Sequence, residues 1–108
     1  MENKDYLLGI RKELEQIYNG EATTEDGEEK TFFDYLCDDV LDYDYTVNSQ
    51  KEITGCRLWV TIGGPNVWID TNDNEIKLAW GCDRDNLWLP SEIADEITEA
   101  LRESVVLC

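Results

Sequence analysis

The sequence predicts an α+β fold: two N-terminal helices, a four-stranded antiparallel β-meander, and a C-terminal helix packed on the sheet. Three observations carry this expectation. Residues 55–81, GCRLWVTIGGPNVWIDTNDNEIKLAWG, hold three runs of alternating apolar residues cut by two turn signals. Helical periodicity is confined to the stretches before and after them. Elements segregated in this way, without βαβ alternation, make an antiparallel sheet. At 108 residues the chain is expected to form one domain, 1–108, because a second core would have too few residues.

The first helix is expected over residues 3–18. Leu7, Ile10, Leu14 and Ile17 recur at helical spacing, Lys12, Glu13 and Gln16 lie off that stripe, and Asn19-Gly20 stops it. The acidic stretch EATTEDGEE reads as an exposed connector that packing does not hold. A second helix starts after Lys30, with Thr31 as N-cap and Asp34 in the capping-box position, and is expected to bury Phe33, Leu36, Cys37 and Val40.

Residues 43–47 alternate as a first strand with Tyr43, Tyr45 and Val47 on one face, and 48–52 form a loop. In residues 57–62 the inward set is Leu58, Val60 and Ile62. After the turn at Gly63-Gly64-Pro65-Asn66 it is Val67 and Ile69, and after the reversal at Asn72-Asp73-Asn74 it is Ile76, Leu78 and Trp80. Trp59, Trp68 and Asp70 fall on the opposite face. CDRDNLWLP shows no clear pattern and is read as irregular. Pro90-Ser91 opens the last helix with Ser91 as N-cap, and Ile93, Ile97, Ala100, Leu101 and Val105 form its buried stripe.

Charge gives the strongest functional hint. Nine Lys and Arg stand against 25 Asp and Glu, a net charge of -16, so the surface repels nucleic acid and anionic membranes and attracts basic proteins or cations. With 42% hydrophobic residues the chain still has enough apolar side chain to fold. No window resembles a membrane span or a signal peptide, so a cytoplasmic location is expected. Cys37, Cys56, Cys82 and Cys108 are widely spaced and read as reduced thiols; in a meander Cys56 and Cys82 fall at opposite sheet ends.

Motifs that would carry chemistry fail on inspection. Asp70-x-Asn72-x-Asn74 imitates the start of an EF-hand loop, but Glu75 stands where the turn glycine belongs and Gly81 where the bidentate glutamate belongs. A hairpin turn is the better reading. The chain has no histidine and no CxxC pair, which argues against zinc and removes the usual base of a nucleophilic pair. Paired carboxylates suited to glycoside hydrolysis are expected by chance among so many acids. Gly63-Gly64-Pro65 lacks the lysine and the following helix of a phosphate loop. We therefore expect no enzyme, no metal and no cofactor.

Two sets of residues remain as binding candidates. Asp34, Asp38 and Asp42 stand four apart along the second helix, joined by Asp39, and Glu92, Glu96, Glu99 and Glu103 form a stripe on the last. Neighbours at that spacing lie about 5–6 Å apart on a helix, comparable with phosphates along a nucleic-acid strand. The second set is Trp59 and Trp68: either a helix covers them, the reading favoured by the supply of three amphipathic helices for two sheet faces, or they form an aromatic patch able to stack on sugar rings.

In size, acidity and lack of catalytic motifs the chain resembles the small DNA-mimic proteins of phages and conjugative elements, which block restriction or CRISPR enzymes. It is also similar to acidic bacterial immunity proteins that neutralise nuclease toxins. The resemblance is of composition and layout over the whole chain, without a shared motif. It implies an inhibitor whose partner is a basic, nucleic-acid-binding protein, with no direct contact to nucleic acid or membrane.

Overall fold

The computed structural model describes residues 3–105. It is an α+β fold with three helices and one antiparallel sheet of five strands, one more than the four expected. In order the elements are α1 (Asn3–Tyr18), α2 (Phe32–Asp38), β1 (Asp42–Val47), β2 (Ile53–Thr61), β3 (Asn66–Asp70), β4 (Glu75–Trp80), β5 (Asp83–Trp88) and α3 (Ser91–Ser104). The strands lie side by side in sequence order, so each hairpin pairs with the next. Among the described residues, no helix is long and apolar enough to cross a membrane.

Alternation divides the sheet into two unlike faces. Leu58, Ile69, Ile76 and Leu87 stand opposite one another across β2 to β5. With Cys56, Val67 and Leu78 they meet Leu7, Leu14 and Ile17 of α1 and Ile93, Ile97 and Leu101 of α3 in one core. All three helices thus belong to one layer: α1 lies over β4 and β5, α3 over β2, and α2 beside α3. A buried polar link fastens α3 to the sheet. Thr98 Oγ1 lies 3.1 Å from Thr71 Oγ1, which accepts the Cys56 N–H at 2.8 Å where a ladder carbonyl would otherwise serve.

Six expectations are corrected. CDRDNLWLP contains β5: its Asp and Asn residues are poor strand formers, but α1 fastens this edge, with Lys4 donating to the Asn86 carbonyl and Arg11 Nη1 to the Trp88 carbonyl at 3.2 Å. The connector is folded rather than loose. A bridge joins Thr23 to Glu29, Thr24 N–H donates to Glu28 O at 2.7 Å and Lys30 N–H to Ala22 O at 2.9 Å, with Gly27 at φ 86° in the turn. α2 has the capping box read from Thr31 and Asp34, yet it buries Phe32 and Tyr35, leaving Phe33 52% exposed and Cys37 exposed. A short helix with apolar residues all round fits two phases, and the one observed sinks both aromatics that stand three apart.

A bulge between Trp59 and Thr61 shifts the register of β2, and Ile62 falls beyond the strand and is 53% exposed. Trp80 is likewise 52% exposed, its ring lying against Gly64 at the turn joining β2 to β3. Finally, Ser91 makes no cap: Pro90 occupies that position, and the α3 turn closes on its carbonyl through Ile93 and Ala94 N–H.

Candidate functional site

The carboxylates on α3 do form a stripe. Glu92, Glu96, Glu99 and Glu103 are exposed, while Ile93, Ile97 and Leu101 on the opposite side enter the core. Only Glu99 of these is ion-paired among the described residues, to Arg102 at 2.9 Å. Asp95 adds a fifth exposed acid. A groove of about 700 Å³ runs between α3 and the entry to α2, with Glu96, Glu99 and Glu103 on one wall and Glu29, Lys30 and Phe33 on the other.

The predicted row on α2 is broken. The helix ends at Asp38, so Asp42 does not continue it; Asp42 begins β1, paired with Trp59, on the sheet face away from the helices. Asp34 turns its Oδ2 back to Thr31, accepting the backbone N–H at 2.9 Å and the hydroxyl at 3.0 Å, as a cap must. Asp38 is exposed, and Asp39 pairs with Lys30 at 2.6 Å. These three face the folded connector, whose Glu25, Asp26 and Glu28 share a second groove of about 630 Å³ with them. Sequence periodicity missed these connector acids because they lie on no helix, although Thr24 to Gly27 carries a turn signal.

Lys30 is the cation where the two acidic regions meet. Its ammonium reaches Asp39 and, at 3.9 Å, Glu13, and lies 5.6 Å from the Tyr35 ring centroid. The hydrogen bond it donates to Asp39 raises its pKa above the ordinary lysine value. Glu13 is pushed up by burial and by the Asp39 charge, with Lys30 opposing, and burial drives the Tyr35 phenol up strongly.

Trp59 and Trp68 lie on the other face, and no described helix covers them, contrary to the favoured reading. They are direct cross-strand partners, half-buried and stacked with centroids 6.2 Å apart and planes 25° apart. Arg57 reaches over the Trp59 ring at 5.0 Å and pairs with Asp44 through Nε at 3.0 Å. The register extends this row to Lys77 and Asn86, and places Asp70, Glu75 and the exposed Trp88 in the row beside it. Trp88 was missed with its strand. The EF-hand-like segment is a hairpin turn, in which Asp70 Oδ1 accepts Asn72 N–H at 3.0 Å and Asp73 N–H at 3.2 Å while Lys77 pairs with both aspartates.

The two surfaces differ in chemistry. The helical side presents carboxylates around grooves, and the open sheet face presents aromatic rings among mixed charges that are largely paired within the molecule. Set against known proteins, the chain matches no family model, no curated protein and no solved structure.

Proposed function

We infer that the protein is a non-catalytic inhibitor or interaction protein that presents its carboxylates to a basic, nucleic-acid-binding surface of a partner, as anti-restriction, anti-CRISPR and nuclease-immunity proteins do. The observation that carries this reading is the α3 stripe bordering the groove with α2. Glu92 to Glu103 spans eleven residues of rise, roughly 16 Å of helix axis, over which one nucleic-acid strand would place about five phosphates. Four carboxylates over that length approach the same charge density. Like charges at this spacing cost a helix a few tenths of a kcal/mol per pair, which solubility alone does not require.

The candidate contact set is Glu92, Glu96, Glu99 and Glu103 first, with Asp34, Asp38 and Asp39 at its margin; Asp42 leaves it because it faces the other way. A pull-down from lysate at low and high salt, with Glu92, Glu96 and Glu103 changed to Lys, tests the assignment. Capture of a nucleic-acid-binding protein that salt releases and the reversal abolishes is the expected result. Capture unaffected by the reversal would reduce the acidity to a solubility device and leave the chain as an accessory protein.

A second reading rests on the uncovered Trp59–Trp68 stack, which could serve as a platform in a carbohydrate- or ligand-binding module. A glycan array read with Trp59→Ala and Trp68→Ala decides it, since stacking on sugar must fail when either ring is removed.

A further inference from the structure

The two edges of the sheet are treated differently. The Cys56 N–H and C=O both bond to Thr71, next along from β3. By alternation the backbone groups of Arg57 and Trp59 turn towards β1, and the Trp59 carbonyl indeed accepts the Leu41 N–H at 2.8 Å. Asp42 and Asp44, their register partners, therefore point their backbone inward, and those of Tyr43 and Tyr45 point out along the free edge. At the opposite edge three of the outward groups are held: the Asn86 N–H by the Asp85 carboxylate at 2.8 Å, the Asn86 carbonyl by Lys4 and the Trp88 carbonyl by Arg11. On β1 only the Tyr43 N–H is held, by the Asp42 carboxylate at 2.8 Å. Among the described residues the Tyr43 carbonyl and both Tyr45 groups have no backbone or side-chain partner.

The side chains along this edge are sorted as well. Tyr43 is exposed and shares the helix-side face with Tyr45, whose ring stacks on it at 6.4 Å; exposed Leu41 directly precedes the strand, and the helices pack chiefly over β2, β4 and β5. Asp42 and Asp44 lie on the other face; Asp44 is neutralised by Arg57, and Asp42 makes no ion pair among the described residues.

The geometry points to β1 as a docking edge that takes an extended segment of a basic protein, with lysine or arginine alternating with apolar residues, as an added sixth strand. Backbone groups of Tyr43 and Tyr45 supply the hydrogen bonds, the apolar positions of the incoming strand cover Leu41, Tyr43 and Tyr45, and its cations meet Asp42. Asp42 acts as a latch. Its carboxylate must leave the Tyr43 N–H for the strand to pair, and a cation on the incoming chain receives it. An acidic or neutral strand offers no such exchange, and a second copy of this chain would bring further charge to a surface already at -16. This inference does not rest on the α3 stripe.

The test titrates the whole chain with a peptide of about seven residues alternating lysine and valine, a typical strand length. Comparison peptides are one of the same composition with its lysines grouped and one with glutamate for lysine. Amide hydrogen exchange and NMR shifts locate the binding. The alternating basic peptide should bind roughly tenfold more tightly than the grouped one and should slow exchange at Tyr45 without affecting β5. Tyr45→Pro removes an outward donor and no β1–β2 ladder bond, and should abolish that binding. Asp42→Asn, which keeps the chain folded even if the proline variant does not fold, should erase the preference for the basic over a serine–valine peptide. Equal binding of grouped and alternating peptides, or protection confined to α3, would overturn the proposal. So would a concentration-dependent dimer lost in Tyr45→Pro, which would assign the edge to a second copy.

Discussion

The Lys30 ammonium lies 2.6 Å from the Asp39 carboxylate, tying the end of the connector to the end of α2. This contact holds together a region otherwise crowded with carboxylates. Lys30→Met should destabilise the fold by about 1–2 kcal/mol, because Asp39 and Glu13 are left facing each other without a cation. Chemical denaturation at low salt checks it, and added salt should narrow the difference. The raised lysine pKa fixes the pH dependence: the contribution is fully present below the ordinary value of 10.5 and is lost as pH rises through the higher folded-state value.

Glu13 also loses stability as pH rises, but because its charged form is the disfavoured one. Its folded-state pKa lies above 4.5 because burial and Asp39 disfavour its charge. Between those two values the folded state binds more protons than the unfolded one, so stability falls as pH rises through that window. Glu13→Gln should therefore raise the melting temperature at pH 7, by about 1–3 °C given the partial exposure of the group, and should change little at pH 4. Thermal melts at the two pH values give the comparison.

Thr71 and Thr98 touch each other, yet their removal should differ in cost. Thr71→Val leaves the buried Cys56 N–H without its acceptor, an expected loss of about 1–3 kcal/mol. Thr98→Val removes a hydroxyl that otherwise donates to Ala94 O within its own helix, and should cost less than about 1 kcal/mol. Equal losses in urea titrations would contradict the assignment of Thr71 as the essential acceptor.

Cys56 should be chemically silent in the folded protein. It is fully buried, and burial pushes its thiol pKa up, with Thr71 and Thr98 opposing. In a chain with Cys37, Cys82 and Cys108 changed to Ser, Ellman's reagent should react only after denaturant is added, at a rate set by unfolding.

Much of this fold is legible in local sequence. The stripe of Leu7, Leu14 and Ile17, the Thr31–Asp34 capping box and the inward pair Val67 and Ile69 all follow from period and cap chemistry. What escapes depends on contacts between distant residues. β5 has a polar sequence and is a strand because Lys4 and Arg11, on the first helix, hold its carbonyls. Trp80 keeps the correct period but lies past the reach of the helices, so alternation alone cannot tell that it is exposed. The phase of α2 is set by which aromatics find the core, and the failure of Asp42 to join the acidic row follows from the helix stopping at Asp38. The α3 stripe was visible because it lies within one regular helix. The free edge of β1 was not visible, since an edge is defined by which strand has no neighbour.

The clasp of α1 on β5 also bears on how many connections the sheet can make. A sheet with both rims bare is divalent: each unit that adds leaves a new rim behind, and growth need not stop. With Lys4 and Arg11 holding the Asn86 and Trp88 carbonyls, the β5 rim offers an incoming strand fewer free acceptors than the β1 rim does. Removing the two cations from the first helix would free those acceptors and make the two rims more alike.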